Sequence, residues 1–216
     1  MLKRILAARR RPEPSRYIIV VSGLPRSGTS MMKNMLQAGG VALVTDDERA
    51  ADDDNPRGYF ELERVKALAK GDSEWVADAQ GKAIKVISAL LKDLPAEYHY
   101  RVVFVRRNMA EILASQRRML ENRGEATDRV PDDKLAGMFR RHLAEVEAWL
   151  GAQPNFEVLY VDYNAMVADP AADVAAVTEF LGGGLDTAAM CGVVDPALHR
   201  QRRVPGEPME PGSAPG

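Results

Sequence analysis

Cysteine is nearly missing from this chain of 216 residues, where Cys191 stands alone. A single thiol closes no internal disulfide, which excludes the disulfide-stapled secreted scaffolds and points to a reducing compartment, the cytoplasm. An excess of charge of either sign is also missing. The chain carries 29 Lys and Arg against 31 Asp and Glu, a net charge of −2, which gives no support for a general nucleic-acid partner. Long hydrophobic runs are absent, and none approaches the ~20 residues that span a bilayer. The N-terminal stretch MLKRILAARRRPEP lacks the apolar segment of ~7–15 residues that a secretory signal needs. Histidine is rare, and neither His99 nor His142 has a convergent partner in the sequence, so both are assigned structural places.

What is present is ordinary for a globular protein: 46% apolar and 28% charged residues. The length suits one domain with a sizeable core. The basic stretch at 1–16 reads as a flexible arm and 17–204 as the domain. The Pro- and Gly-rich end at 205–216 reads as a disordered tail.

Apolar, β-branched runs alternate with helical patterns along the domain. YIIVVS (17–22), AIKVIS (83–88), RVVFV (101–105) and FEVLYVDY (156–163) read as strands, and VALV (41–44) as a fifth. Helical spacing is expected at 29–38, stopped by Gly39-Gly40, and again at 61–70, 111–120 and 132–150. A further helix at 173–182 ends at Gly182. In the long pattern at 132–150, Leu135, Met138, Phe139, Leu143, Val146 and Leu150 share one face. This alternation implies an α/β fold of three layers, a five-stranded parallel sheet flanked by helices. Ligands of such sheets bind beyond the carboxyl ends of the strands. The residues just after each strand, at 23–30, 88–89, 106–108 and 162–164, are therefore the informative ones. The loops at 45–60, 71–82 and 121–133 are expected to shape a substrate pocket.

The stretch after the first strand is GLPRSGTS, residues 23–30. Strand, glycine-bearing loop and helix N-terminus together present backbone N–H groups and a helix dipole to a phosphate. Arg26 adds a guanidinium, and Thr29 and Ser30 add hydroxyl donors. A nucleoside-triphosphate loop has a lysine directly after its second glycine, reaching the β- and γ-phosphates. Here Thr29 stands in that place, which suits a ligand without a γ-phosphate.

Pro25-Arg26-Ser27-Gly28-Thr29-Ser30 resembles the 5′-phosphosulfate loop of the sulfotransferases that use 3′-phosphoadenylyl sulfate. Their usual pattern is Pro, a basic residue, Ser or Thr, Gly, then two hydroxyl residues. The family's second signature is an arginine at a strand end followed eight residues later by a serine, the pair that grips the 3′-phosphate. VVFVRRNMAEILASQ supplies Arg107 and Ser115 at that spacing. VLYVDYNAMVADP followed by VTEFLG also resembles the family, so the likeness spans roughly residues 17–182. An arginine fork with a nearby hydroxyl is sound chemistry for a phosphate in any fold.

The resemblance implies a P-loop fold and transfer of a sulfuryl group to a hydroxyl or amine acceptor, with adenosine 3′,5′-bisphosphate as product. No metal is expected. Pro25, Arg26, Ser27, Gly28, Thr29, Ser30, Arg107 and Ser115 would bind the donor, with Arg26 also neutralising charge on the leaving oxygen. Arg200 and Arg203, in the basic run at 199–203, fall where the family closes a loop over the 3′-phosphate. Lys85 matches a family lysine, and if its strand lies beside the first it would stabilise a sulfuryl oxygen. The family's usual histidine, two residues on, is replaced by Ile87. Other branches of the family use a glutamate as base, and DNPRGYFE offers Glu61 at a helix start, with Glu63 as the fallback. The acidic run at 46–54 lacks ligand spacing and reads as a solvated loop. The acceptor stays open among small molecules, carbohydrates, lipids and peptides. A homo-oligomer remains open, and a membrane span is not expected. Two rivals remain: a P-loop nucleotide kinase or NTPase with Asp162 holding Mg²⁺, and a non-catalytic nucleotide-binding module.

Overall fold

The computed structural model describes residues 17–44, 63–127 and 130–194. The arm at 1–16, the acidic run at 46–54, Glu61, Arg200, Arg203 and the tail at 205–216 lie outside the described residues.

Among the described residues the sheet has four parallel strands in the order β2-β1-β3-β4. They are β1 (Tyr17–Gly23), β2 (Ala83–Lys85), β3 (His99–Arg106) and β4 (Phe156–Asp162). β1 and β3 pair along their shared length, from Tyr17 opposite His99 to Gly23 opposite Val105. β1, in the middle of the sheet, is buried along its whole length because helices cover both faces, while the edge strand β4 exposes Glu157, Tyr160 and Asp162. Tyr17, Ile19, Val21, Val103 and Val105 face one core, under α1 (Thr29–Ala38) and α5 (Pro170–Phe180). Ile18, Val20, Val102 and Phe104 face the other, under α3 (Asp132–Ala152) and the 3-10 segment Glu63–Lys70. This alternation also decides which face a polar residue at a strand end will meet. No helix among the described residues is long and apolar enough to cross a membrane.

The expected fifth strand is reduced to one bridge. Leu43 lies opposite Ala83, with Ala83 N–H donating to Ala42 O at 2.8 Å and Val44 N–H to Ala83 O at 3.0 Å. β2 offers an edge of only three residues, too short for a longer ladder. The strand expected over 83–88 stops at Lys85, and Ser88–Asp93 coils into a 3-10 turn instead. The loop expected at 71–82 likewise contains a 3-10 turn, Glu74–Ala79, that buries Trp75 and Val76 in the core.

Helix starts follow the side-chain chemistry. α2 (Met109–Asn122), α4 (Tyr163–Ala168), α5 and α6 (Thr187–Gly192) are capped by Asn108, Asp162, Asp169 and Asp186. α1 is different. It begins after Gly28, and no side chain caps it, so its first N–H groups keep their capacity for another acceptor.

Candidate active site

The loop between β1 and α1 sits at the carboxyl edge of the sheet, over the end of β3. Gly23 (φ 150) is needed there, because a Cβ would stand 2.5 Å from Val105 O. Gly28 (φ 102) is needed for a second reason. The Tyr163 ring lies on it so closely that a Cβ would stand 2.2 Å from Tyr163 Cδ2. Gly28→Ala is therefore expected to lose about 1–3 kcal/mol from backbone strain alone, and more from the clash. Thermal unfolding checks this. Tm should fall by ~2–4 °C per kcal/mol in a chain of this size, and adding Tyr163→Ala should return part of it.

Arg26 is the one described non-glycine residue at positive φ, at 68°. Contacts from two other elements hold it. Its carbonyl accepts from Arg107 Nη1 at 3.1 Å, and its Nε donates to Ser115 Oγ at 2.9 Å. Strain of this kind persists only where neighbours over-determine it, and it gathers at functional positions. The residues that the sequence placed in two separate motifs thus form one cluster.

Arg107 extends that cluster. It follows β3, its side chain is nearly buried, and its Nε donates to Glu111 Oε2 at 2.9 Å. Glu111 is itself buried and accepts from Asn164 Nδ2 at 2.9 Å. The Arg107 guanidinium stacks over the Tyr163 ring, 4.4 Å from its centroid. Tyr163 is thereby clamped between Gly28 and Arg107. A buried ion pair needs such extra hydrogen bonds to offset desolvation.

Lys85 reaches the other end of the loop. β2 lies beside β1 with Lys85 opposite Val21, and Lys85 Nζ donates to Ser30 Oγ at 3.4 Å. Pro25 is exposed and Thr29 buried. Ser27 is buried, its N–H donates to Leu24 O at 3.2 Å, and its Oγ points at Gly23. Among the described residues that hydroxyl finds no hydrogen-bond partner. Asp162 spends Oδ1 on the Ala165 N–H of its own helix, at 2.9 Å.

Sequence reasoning missed Tyr163, Glu111 and Asn164. Glu111 had a signal, since it stands four residues after Arg107 in a helical pattern. It also missed His142, whose Nε2 lies 2.8 Å from Ser88 Oγ.

A parallel sheet of four strands covered by helices on both faces, with Arg26, Arg107 and Lys85 at its carboxyl edge, defines an α/β protein. The sequence matches the sulfotransferase domain family over residues 17–199. The chain belongs to that family and is a transferase. No curated protein matches it significantly. Among solved structures it is similar to sulfotransferase STF1 from Mycobacterium tuberculosis, with a TM-score of 0.53 and 18% identity over 81% of this chain and 70% of that one. It is also similar to a sulfotransferase domain from the curacin biosynthetic pathway, with a TM-score of 0.49 and 14% identity over 90% and 93% of the two chains. The first likeness agrees with the fold described above.

Proposed function

We propose that the protein moves a sulfuryl group from 3′-phosphoadenylyl sulfate to a hydroxyl or amine acceptor. The observation that carries this reading is the convergence of Arg26, Arg107 and Ser115 at an uncapped helix start, in a chain of the sulfotransferase family. The residues fit the donor. Backbone N–H groups after Gly28, with Thr29 and Ser30, suit its 5′-phosphate. Arg107 and Ser115 suit its 3′-phosphate, and Arg200 and Arg203 would close over the same group.

The acceptor attacks sulfur in line, the bond from sulfur to the phosphate oxygen breaks, and adenosine 3′,5′-bisphosphate leaves. Arg26 neutralises the charge that grows on the leaving oxygen, and Lys85 holds a sulfuryl oxygen. Glu61 takes the acceptor's proton. This is catalysis by positioning and charge stabilisation, and it calls for no metal. The lone cysteine suits a cytoplasmic setting.

Calorimetric titration tests the donor. Adenosine 3′,5′-bisphosphate should bind more tightly than the 5′-monophosphate. Arg107→Ala should cost the bisphosphate about 1.5–3 kcal/mol, the scale of hydrogen bonds to charged groups. The monophosphate should lose only what comes from the loosened Arg26 carbonyl. Equal losses would remove the 3′-phosphate role. Tighter binding of ATP–Mg²⁺ would favour a nucleotide kinase instead. Donor binding without turnover would favour a non-catalytic module.

A further inference from the structure

Glu111 is a carboxylate that no step of the proposed reaction uses. Its side chain is nevertheless only 6% exposed, and that of Arg107, which it meets, only 8%. Its two oxygens take different partners. Oε2 accepts from Arg107 Nε and Oε1 from Asn164 Nδ2, both at 2.9 Å. Asn164 is held in turn, since its Oδ1 accepts from the Asn108 N–H at 3.3 Å. Asn108 is the cap of α2. The starts of α4 and α2 and the end of β3 are thus tied by one chain of hydrogen bonds. Arg107 is its last link toward the phosphate loop, donating from Nη1 to Arg26 O at 3.1 Å.

This chain fixes the Arg107 guanidinium in every direction. Glu111 takes the Nε edge and Arg26 O takes one donor of Nη1, which stops rotation within the plane. The Tyr163 ring, 4.4 Å from Cζ, sets the plane itself. What is left for a ligand is the end of the fork, the second N–H of Nη1 and both of Nη2. Among the described residues Nη2 meets no acceptor. Stability alone does not call for such an arrangement. A buried ion pair costs desolvation that apolar side chains of similar volume would avoid. Orientation does call for it, because a guanidinium reads a phosphate through two parallel N–H groups whose direction must be set.

We propose that Glu111, braced by Asn164, is the positioning residue that aims the end of the Arg107 fork at the 3′-phosphate, and so sets the preference for a donor that carries one. This rests on the sulfotransferase reading, in which Arg107 contacts that phosphate. The chain of hydrogen bonds has a fixed polarity. Position 111 must accept at both ends, since it faces Arg107 Nε on one side and Asn164 Nδ2 on the other. Asn164 cannot turn its amide over, because Nδ2 would then meet the Asn108 N–H. Glu111→Gln therefore gives up one of the two contacts, for an amide accepts at one end only. Adding Asn164→Asp repairs the chain. A carboxylate at 164 accepts from the new amide and from the Asn108 N–H, and the single negative charge is kept, one link further from Arg107.

Calorimetric titration with adenosine 3′,5′-bisphosphate and with adenosine 5′-monophosphate gives the test, read as the ratio of the two affinities. Glu111→Gln should lower that ratio by ~10-fold, the scale of one misdirected hydrogen bond to a charged group. Asn164→Ala removes the brace, keeps the ion pair, and should lower the ratio by less. Glu111→Gln combined with Asn164→Asp should restore a large part of it, the coupling that a double-mutant cycle detects between residues in contact. Thermal unfolding of each variant separates positioning from folding. A merely structural role would lower Tm and weaken both nucleotides alike, leaving the ratio where it was. Asn164→Ala, at the half-buried start of α4, carries the test where Glu111→Gln does not fold. A wild-type preference for the bisphosphate that these single variants leave intact would overturn this inference and leave the function standing. A combined variant no better than Glu111→Gln alone would do the same. A wild type without that preference would remove the 3′-phosphate reading itself, and this inference with it.

Discussion

Arg26→Ala is expected to lower turnover by ~10²–10³, the usual loss when one preorganised donor to a developing charge is removed. Donor affinity should fall much less, because the backbone N–H groups at the start of α1 remain. The expected concentration of the effect in turnover follows from the way Arg26 is held. Arg26 is held in a left-handed conformation at φ 68, its carbonyl fixed by Arg107 and its Nε by Ser115. A guanidinium fixed in this way needs little reorganisation when charge develops, which is where electrostatic catalysis has its advantage. Arg26→Lys keeps the charge but loses the Nε contact to Ser115, so it should fall between the wild type and the alanine variant. Steady-state turnover at saturating donor, set beside calorimetry with adenosine 3′,5′-bisphosphate, separates the two effects. A variant that binds weakly yet turns over normally would show that Arg26 anchors the donor and does nothing for the leaving oxygen.

The parts of this site that are legible in the sequence are those fixed by local chain chemistry. The run YIIVVS can only be a doubly covered strand, and Gly28 marks where α1 begins, because these follow from a few consecutive residues. Arg107 and Ser115 are legible as a pair because they stand at the spacing of the second signature that the sequence shares by resemblance with the sulfotransferases. The contact between that pair and Arg26 spans 89 residues in one case and 81 in the other. Only the β1–β3 pairing brings it about, so no local pattern announces it. Tyr163 shows the same limit. Its ring decides that position 28 must be glycine, yet 135 residues separate the two (163 minus 28). His142 lacked a partner in the sequence because Ser88 meets it from the turn after β2, where a continuing strand was expected. Met138 completes a helical stripe on paper yet is exposed in the fold, and periodicity carries no information about how much of a stripe the core covers.

Glu61→Gln is expected to lower turnover by ~10²–10⁴, the range for loss of a general base. Glu61 follows the stretch Asn55-Pro56-Arg57-Gly58 and has Tyr59 and Phe60 beside it. Two residues later Glu63–Lys70 coils into a 3-10 segment that packs against the Ser88–Asp93 turn. That turn begins three residues after Lys85 and carries the serine that meets His142. Glutamine keeps size and hydrogen bonding but cannot take a proton. Donor affinity should hardly change, since a base takes its proton from the acceptor and not from the nucleotide. The acceptor in this measurement must be an alcohol such as 1-decanol, whose proton has to leave as the new bond forms. An ionised phenolate has already lost that proton, so with 4-nitrophenol above its own pKa the variant should recover much of its rate. That recovery, present for the phenolate and absent for the alcohol, distinguishes a missing base from a damaged pocket. If Glu61→Gln sulfates the alcohol normally and Glu63→Gln or His142→Leu abolishes the reaction, the proton goes to that residue instead.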